Sequence, residues 1–233
     1  MSAERNMQNT EGGGRERAAD VLVCFALPEE ARPFRRWAGA HPGIGILVTG
    51  IGQKNSERSF RAKLVAAART PELVLTCGFA GALHPDLTLG EVVFSADAES
   101  GLTPRLLAAG AREIRFHCAD RIAATAVAKQ SLRQSTGADA VEMESEIIRR
   151  LCRERGIPSA TMRVISDTAQ EDLPLDFNLL LTADQSMDYA KLAVAILKSP
   201  GKITALLWLQ KQTRFAAERL AGVLAGVVAG GSR

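Results

Sequence analysis

The sequence predicts an α/β fold: a three-layer α/β/α sandwich around a mixed, mainly parallel central sheet. Two observations predict it. Short apolar runs, at residues 21–26 and 73–77, have the length and composition of strands buried on both faces. Amphipathic helical segments alternate with such runs, the arrangement that lays helices over both faces of a parallel sheet.

The elements follow in order. Residues 21–26 form the first strand. Pro28 then stands at a first helical position, with Glu29 and Glu30 in the first turn, where acids suit the helix dipole. That helix carries Phe34 and Trp37 and ends near Gly39. Residues 44–48 form a second strand, closing on Thr49-Gly50-Ile51-Gly52. A helix over about 56–68 sets Phe60, Leu64 and Ala67 on one face. The third strand, 73–77, runs into Gly78-Phe79-Ala80-Gly81. Val92-Val93-Phe94 is a fourth strand. Residues 96–135 are the least legible; 114–116 read as a strand and 123–133 as a helix. The apolar run 138–141 is a buried strand that breaks into Glu142-Met143-Glu144, with a helix over 146–155 stopping at Gly156-Ile157-Pro158. Residues 160–165 form another strand, ending in Ser166-Asp167. The C-terminal third is helical, over 185–197 and 203–228.

Length and composition narrow the class. With 233 residues, 46% hydrophobic, the chain is expected to build one domain over 20–233, including the C-terminal helices. Residues 1–19 are polar and glycine-rich, lack the apolar centre of a signal peptide, and read as a disordered extension. The net charge of +3 and the 5% aromatic content give no case for nucleic acid. No apolar stretch reaches the length of about 18 residues that a spanning helix needs. Cys24, Cys77, Cys118 and Cys152 are scattered and form no CxxC pair, as in a reduced, cytoplasmic protein. His84 and His117 have no metal-ligand spacing with them, so neither a metal nor a cofactor is expected.

The chemistry gathers at strand ends. Burying a carboxylate costs several kcal/mol unless it is partnered, so Glu142 and Glu144 at a strand-to-helix junction point to a polar ligand with hydroxyl groups, such as a sugar. Glycines at the second and third strand ends let the backbone approach that ligand closely. The glycine patterns are neither a dinucleotide fingerprint nor a P-loop.

Taken together, five blocks resemble the nucleoside phosphorylase and nucleosidase superfamily, with its methylthioadenosine/S-adenosylhomocysteine nucleosidase branch. They are Ala26-Leu27-Pro28-Glu29-Glu30, Thr49-Gly50-Ile51-Gly52, Thr76-Cys77-Gly78-Phe79-Ala80-Gly81, Val141-Glu142-Met143-Glu144 and Arg163-Val164-Ile165-Ser166-Asp167. The two-helix C-terminus looks like that of the hopanoid-associated phosphorylase-like proteins, linked to removal of adenine from adenosylhopane.

The resemblance implies a purine nucleosidase acting on a 5′-substituted adenosine, with a methylthioadenosine/S-adenosylhomocysteine nucleosidase or a phosphate-dependent phosphorylase as alternatives. It also implies residue roles. Asp167 matches the acid that protonates the leaving base, and Ser166 orients it. Glu144 matches the glutamate on the ribose hydroxyls, and Met143 packs under the ribose. Glu30 matches the base that activates water, with Arg163 holding that water or Glu30. Glu142 reads as a structural partner. Ile51, Phe79, Ala80 and Gly81 lie along the substrate, Ile122 stands where relatives place an adenine-stacking aromatic, and Phe177 matches a residue on the 5′ substituent.

Plainer readings stand beside these. Glu30 suits a first-turn acid, Asp167 a cap, and Arg163 the neutraliser of a buried acid. The fold also suits a non-catalytic nucleoside-binding protein. A phosphorylase of this group has a serine and arginines near the third strand end. Here Phe79 occupies the serine position and residues 73–81 contain no arginine, which favours water as acceptor. The expected partners are a small nucleoside, lipid-linked in the hopanoid case, and a second copy of the chain in a homodimer. The face with Trp208 and nearby lysines suits a peripheral membrane contact.

Overall fold

A computed structural model describes residues 20–182, 184, 185, 188–198 and 200–230. The expected extension over 1–19 lies outside the described residues. The strands are β1 (Val21–Phe25), β2 (Ile44–Val48), β3 (Leu73–Ala82), β4 (Val92–Ala96), β5 (Arg112–Glu113), β6 (Phe116–Cys118), β7 (Ala140–Glu142) and β8 (Ser159–Asp167). The helices are α1 (Pro28–Ala38), α2 (Gly52–Ala66), α3 (Thr103–Ala108), α4 (Ala126–Thr136), α5 (Ser145–Arg153), α6 (Tyr189–Lys198) and α7 (Ile203–Ala229).

The strands form one mixed sheet in the order β2-β1-β3-β8-β4-β5, with β7 and β6 branching from β3. The ladders β1–β2, β1–β3, β3–β8 and β4–β5 are parallel, and β4–β8 is antiparallel. Parallel strands need a crossover, and α1 and α2 supply the first two. Alternation along β1 builds the layers, because successive side chains point to opposite faces. Val23 and Phe25 join Phe34 of α1 and Leu220 and Leu224 of α7 on one face. Leu22 and Cys24 join Phe60 of α2 and Ile147, Ile148 and Leu151 of α5 on the other. Each large apolar side chain so buried stabilises the fold by about 1.5–3 kcal/mol. The three-layer fold with a mainly parallel sheet is therefore borne out.

Strand β3 positions the site. Along one edge it pairs with β8 over most of its length. Along the other it pairs with β1 only through Cys77, and with β7 only at Gly81 and Ala82. On that edge Gly78, Phe79 and Ala80 have no strand neighbour among the described residues, and the chain leaving β1 for α1 comes to this gap.

Several boundaries differ from the sequence-based expectation. β3 runs on through the glycine-rich segment, because β8 pairs with Gly78, Phe79 and Ala80. α2 begins at Gly52 rather than Ser56. In the middle, the strand expected at 114–116 lies at Phe116–Cys118, held by a parallel ladder to β7. The helix expected at 123–133 begins at Ala126, because Thr125 caps it: its hydroxyl accepts the Ala128 N–H at 3.1 Å. Helix α6 begins at Tyr189; residues 186 and 187 of the expected 185–197 helix lie outside the described residues.

Candidate active site

Helix α1 presents Glu30 to the gap beside β3. Pro28 suits the helix start, where no N–H is needed. Glu30, in the third helical position, turns back and accepts the Leu27 N–H through Oε2 at 2.9 Å. Its Oε1 accepts the Phe79 N–H at 2.9 Å. The side chain thus caps its own helix and fills the hole in the β3 ladder. Burial raises its carboxyl above the usual glutamate range, against the opposing pull of Arg163 and the backbone N–H groups.

Where β7 ends and α5 begins, the two glutamates diverge. Glu142 accepts the Glu144 and Ser145 N–H groups through Oε2 at 2.9 and 2.8 Å, and the Ser145 hydroxyl through Oε1 at 2.7 Å. It also takes Arg163 Nη2 at 2.6 Å. Burial alone would raise its carboxyl; Arg163 and these hydrogen bonds outweigh burial and hold it below the usual range. Glu144 Oε1 accepts the Gly52 N–H at 2.9 Å, and its Oε2 lies 3.3 Å from Arg163 Nη2. Burial pushes its carboxyl up to about 7, with Arg163 opposing and the Glu142 charge adding to the rise. One glutamate is thus fixed as an anion, and its neighbour titrates near neutrality.

Arg163, on β8, is 1% exposed and is the shared counter-ion. Burial disfavours its charge, but Glu142, Glu144 and Glu30 more than compensate and hold the guanidinium protonated. The family resemblance assigns Arg163 to holding water or Glu30. In the structure its ion pairs go to Glu142 and Glu144, and Glu30 is held by two backbone N–H groups. Gly78 makes room for this arrangement. A Cβ there would stand 2.7 Å from Arg163 Nη1 and 2.7 Å from Glu30 Oε1, at a φ of +150°.

At the end of β8, Asp167 Oδ1 accepts the Ser166 hydroxyl at 2.7 Å. Its Oδ2 is ion-paired with Lys129 Nζ at 2.6 Å. Sequence reasoning misses Lys129: a lysine in the first turns of a helix reads as a solvated residue. Gly81 crosses beneath, and a Cβ on it would come within 3.1 Å of Asp167 Oδ2.

These groups share one cavity of about 450 Å³. Glu30, Glu142, Glu144, Ser166 and Asp167 line its polar part, over a floor of Ile51, Phe79, Ala80, Gly81 and Met143. Ile122 and Phe177 also line it. Asn178 holds Ile122 in place, bonding its N–H and C=O at 2.9 Å each. Of the residues assigned a role from sequence, Arg163 alone does not line the cavity; it supports the site from behind. Leu173, Leu181, Leu192 and Leu209 make an apolar extension, the last two from α6 and α7. Among the described residues no cluster of His, Cys, Asp and Glu is placed to hold a metal. No described helix is long and apolar enough to cross a membrane.

The chain is similar to known proteins in part of its sequence and in its fold. The family model described as "Phosphorylase superfamily" matches residues 109–198. A 5′-methylthioadenosine/S-adenosylhomocysteine nucleosidase of Shewanella halifaxensis is 23% identical over 175 residues, covering 60% of this chain and 76% of that protein. The structure superposes on futalosine hydrolase of Helicobacter pylori with a TM-score of 0.66 at 17% identity, covering 91% of this chain and 98% of the other. It superposes on the 5′-methylthioadenosine/S-adenosylhomocysteine nucleosidase of Campylobacter jejuni with a TM-score of 0.63 at 16% identity, covering 91% and 99%. The family match is confined to residues 109–198, and the likeness to these solved structures shows that the chain has their α/β fold.

Proposed function

We propose that the protein is a purine nucleosidase that hydrolyses the N-glycosidic bond of a 5′-substituted adenosine and releases adenine, the 5′ substituent being bulky and apolar. The observation that carries this reading is the convergence of Glu30, Glu144 and Asp167 on one cavity with an apolar extension. Glycosidic cleavage builds positive charge on the sugar and negative charge on the base. Glu144, when ionised, accepts the ribose hydroxyls and offsets the first. Asp167, steered by Ser166, delivers a proton to the base and offsets the second; such general acid catalysis is worth about 10²–10⁴-fold. Glu30, raised by burial, takes a proton from the attacking water.

Water suits this site better than phosphate. Glu29, Glu30, Glu142, Glu144 and Asp167 line the cavity, and Arg163 is already engaged with carboxylates. Arg121 is the cation among the lining residues. A phosphate dianion would enter against this excess of negative charge.

The apolar extension favours a long 5′ group. Leu173 and Leu209 line both the main cavity and a smaller one beside Asp167, which Trp208 also borders. Trp208 and Leu207 are more than half exposed, and Lys211 stands over the Trp208 ring at 5.7 Å. An adenosine carrying a polycyclic hydrocarbon chain, as adenosylhopane does, would leave the site along this face, and the face would rest on a membrane. The alternative substrate is methylthioadenosine or S-adenosylhomocysteine; Phe177 in the cavity lining and the Shewanella relative favour it.

One assay tests the reading. Adenine release is followed for adenosine, methylthioadenosine, S-adenosylhomocysteine and an alkyl-5′-adenosine, with and without phosphate. Free ribose products and a preference for the alkyl compound are expected. Sugar-1-phosphate products would make the protein a phosphorylase, and faster turnover of methylthioadenosine would establish the alternative.

A further inference from the structure

Lys129 is the one buried residue of α4, and its side chain is 0% exposed. A cation in the first turns of a helix opposes the dipole, and a buried ammonium is strongly unfavourable unless paired. Here it is fully paired. Nζ lies 2.6 Å from Asp167 Oδ2 and donates to the carbonyls of Thr168 and Glu171 at 2.7 and 2.8 Å, one acceptor for each of its three protons. The neighbouring backbone is tied to the same place. Asp172 accepts the Ala126 N–H at 2.7 Å, and the Leu173 N–H reaches the Ala124 carbonyl at 2.8 Å. A leucine would fill the space without any of these demands. The ammonium is directed at the side chain to which the proposed reaction assigns the proton, while the Ser166 hydroxyl takes the other oxygen.

We infer that Lys129 is a positioning residue for Asp167 and the source of the proton that Asp167 delivers to the leaving base. This rests on the nucleosidase reading. Nζ passes a proton to the Asp167 carboxylate and is left as an amine. As the C–N bond breaks, its electron pair goes to the ring nitrogen, which takes that proton from Asp167. Water adds its oxygen to the sugar carbon and gives a proton to Glu30. Glu30 releases that proton to solvent, and the Lys129–Asp167 pair takes one up, so one water is consumed and no net proton is used.

The test compares Lys129→Met and Lys129→Arg on two substrates: the adenosine turned over by the wild type, and a 4-nitrophenyl riboside, whose leaving group departs without protonation. Arginine keeps the charge and the hydrogen bonds but does not give up its proton. Both variants are expected to lose about 10²–10⁴-fold in kcat on the adenosine, the range of general acid catalysis. On the nitrophenyl riboside both should retain most of the wild-type rate. Equal losses on both substrates, or recovery by Lys129→Arg on the adenosine, would reduce Lys129 to a structural role and overturn the inference. Should Lys129→Met fail to fold, Lys129→Arg decides alone. A wild-type protein that releases no base from any nucleoside would overturn the nucleosidase reading itself, a different outcome from normal turnover by the variants.

Discussion

Replacing Arg163 by Met tests how the buried charges are balanced. Arg163 sits 2.6 Å from Glu142 and 3.3 Å from Glu144, with Glu30 facing the same guanidinium across Gly78. Methionine fills much of the volume but removes the cation that the three buried carboxylates share. Removing one partner of a buried pair costs about 3–5 kcal/mol. That is a large share of the roughly 5–15 kcal/mol that stabilises a typical domain. For a chain of this size each kcal/mol moves the melting temperature by about 2–4 °C, so a fall of about 6–20 °C is expected. Urea unfolding of wild type, Arg163→Met, Glu142→Gln and the double variant completes a cycle. The amide introduced by Glu142→Gln keeps an acceptor for the Glu144 and Ser145 N–H groups but carries no charge. The double variant should therefore recover about 1–3 kcal/mol of the Arg163→Met loss, a coupling expected of contacting residues. Losses that simply add, or an Arg163→Met loss below about 1 kcal/mol, would refute the charge balance.

Other predictions follow from the same geometry. Glu144 has a folded pKa raised from 4.5 to about 7, so its favourable contribution to stability is fully present below pH 4.5 and is lost as the pH rises to about 7. Urea midpoints of Glu144→Gln should therefore fall less than those of the wild type between about pH 5 and about pH 8; parallel falls would contradict the raised value. Gly78→Ala should cost about 1–3 kcal/mol in thermal unfolding, because its Cβ would meet both Glu30 and Arg163; an unchanged melting curve would contradict that close approach. Phe177→Ala should weaken kcat/KM about 10–200-fold for an apolar 5′ group and leave adenosine itself little changed; equal losses on both would place Phe177 away from the substituent.

Legibility in the sequence follows the strength of local patterns. β1 and β2 can be bounded nearly to the residue, because largely apolar runs are followed within a few residues by proline and acids or by glycine. From sequence β3 ends at Cys77, since glycine lowers strand propensity. Its continuation depends on pairing with β8 and on Glu30 reaching Phe79, contacts between residues far apart in the chain. In the middle of the chain the strand lies two residues and the helix three residues beyond the expected place, because the elements there are short and β6 is held by pairing with β7. At the site, Glu142 and Glu144 stand out because paired acids beside an apolar strand need an explanation. Lys129 does not, since on sequence alone nothing separates it from the exposed cations of other helices. The division of labour between Glu142 and Glu144 is equally hidden: it depends on which of them receives the α5 N–H groups and which receives Gly52.

The most direct test is adenine release from a 5′-substituted adenosine by the wild type and by Asp167→Asn, with equal folding verified by melting. Asparagine keeps the shape but has no acidic proton, so kcat should fall by about 10²–10⁴-fold while the protein stays folded. Undiminished turnover in Asp167→Asn would contradict the account at its centre.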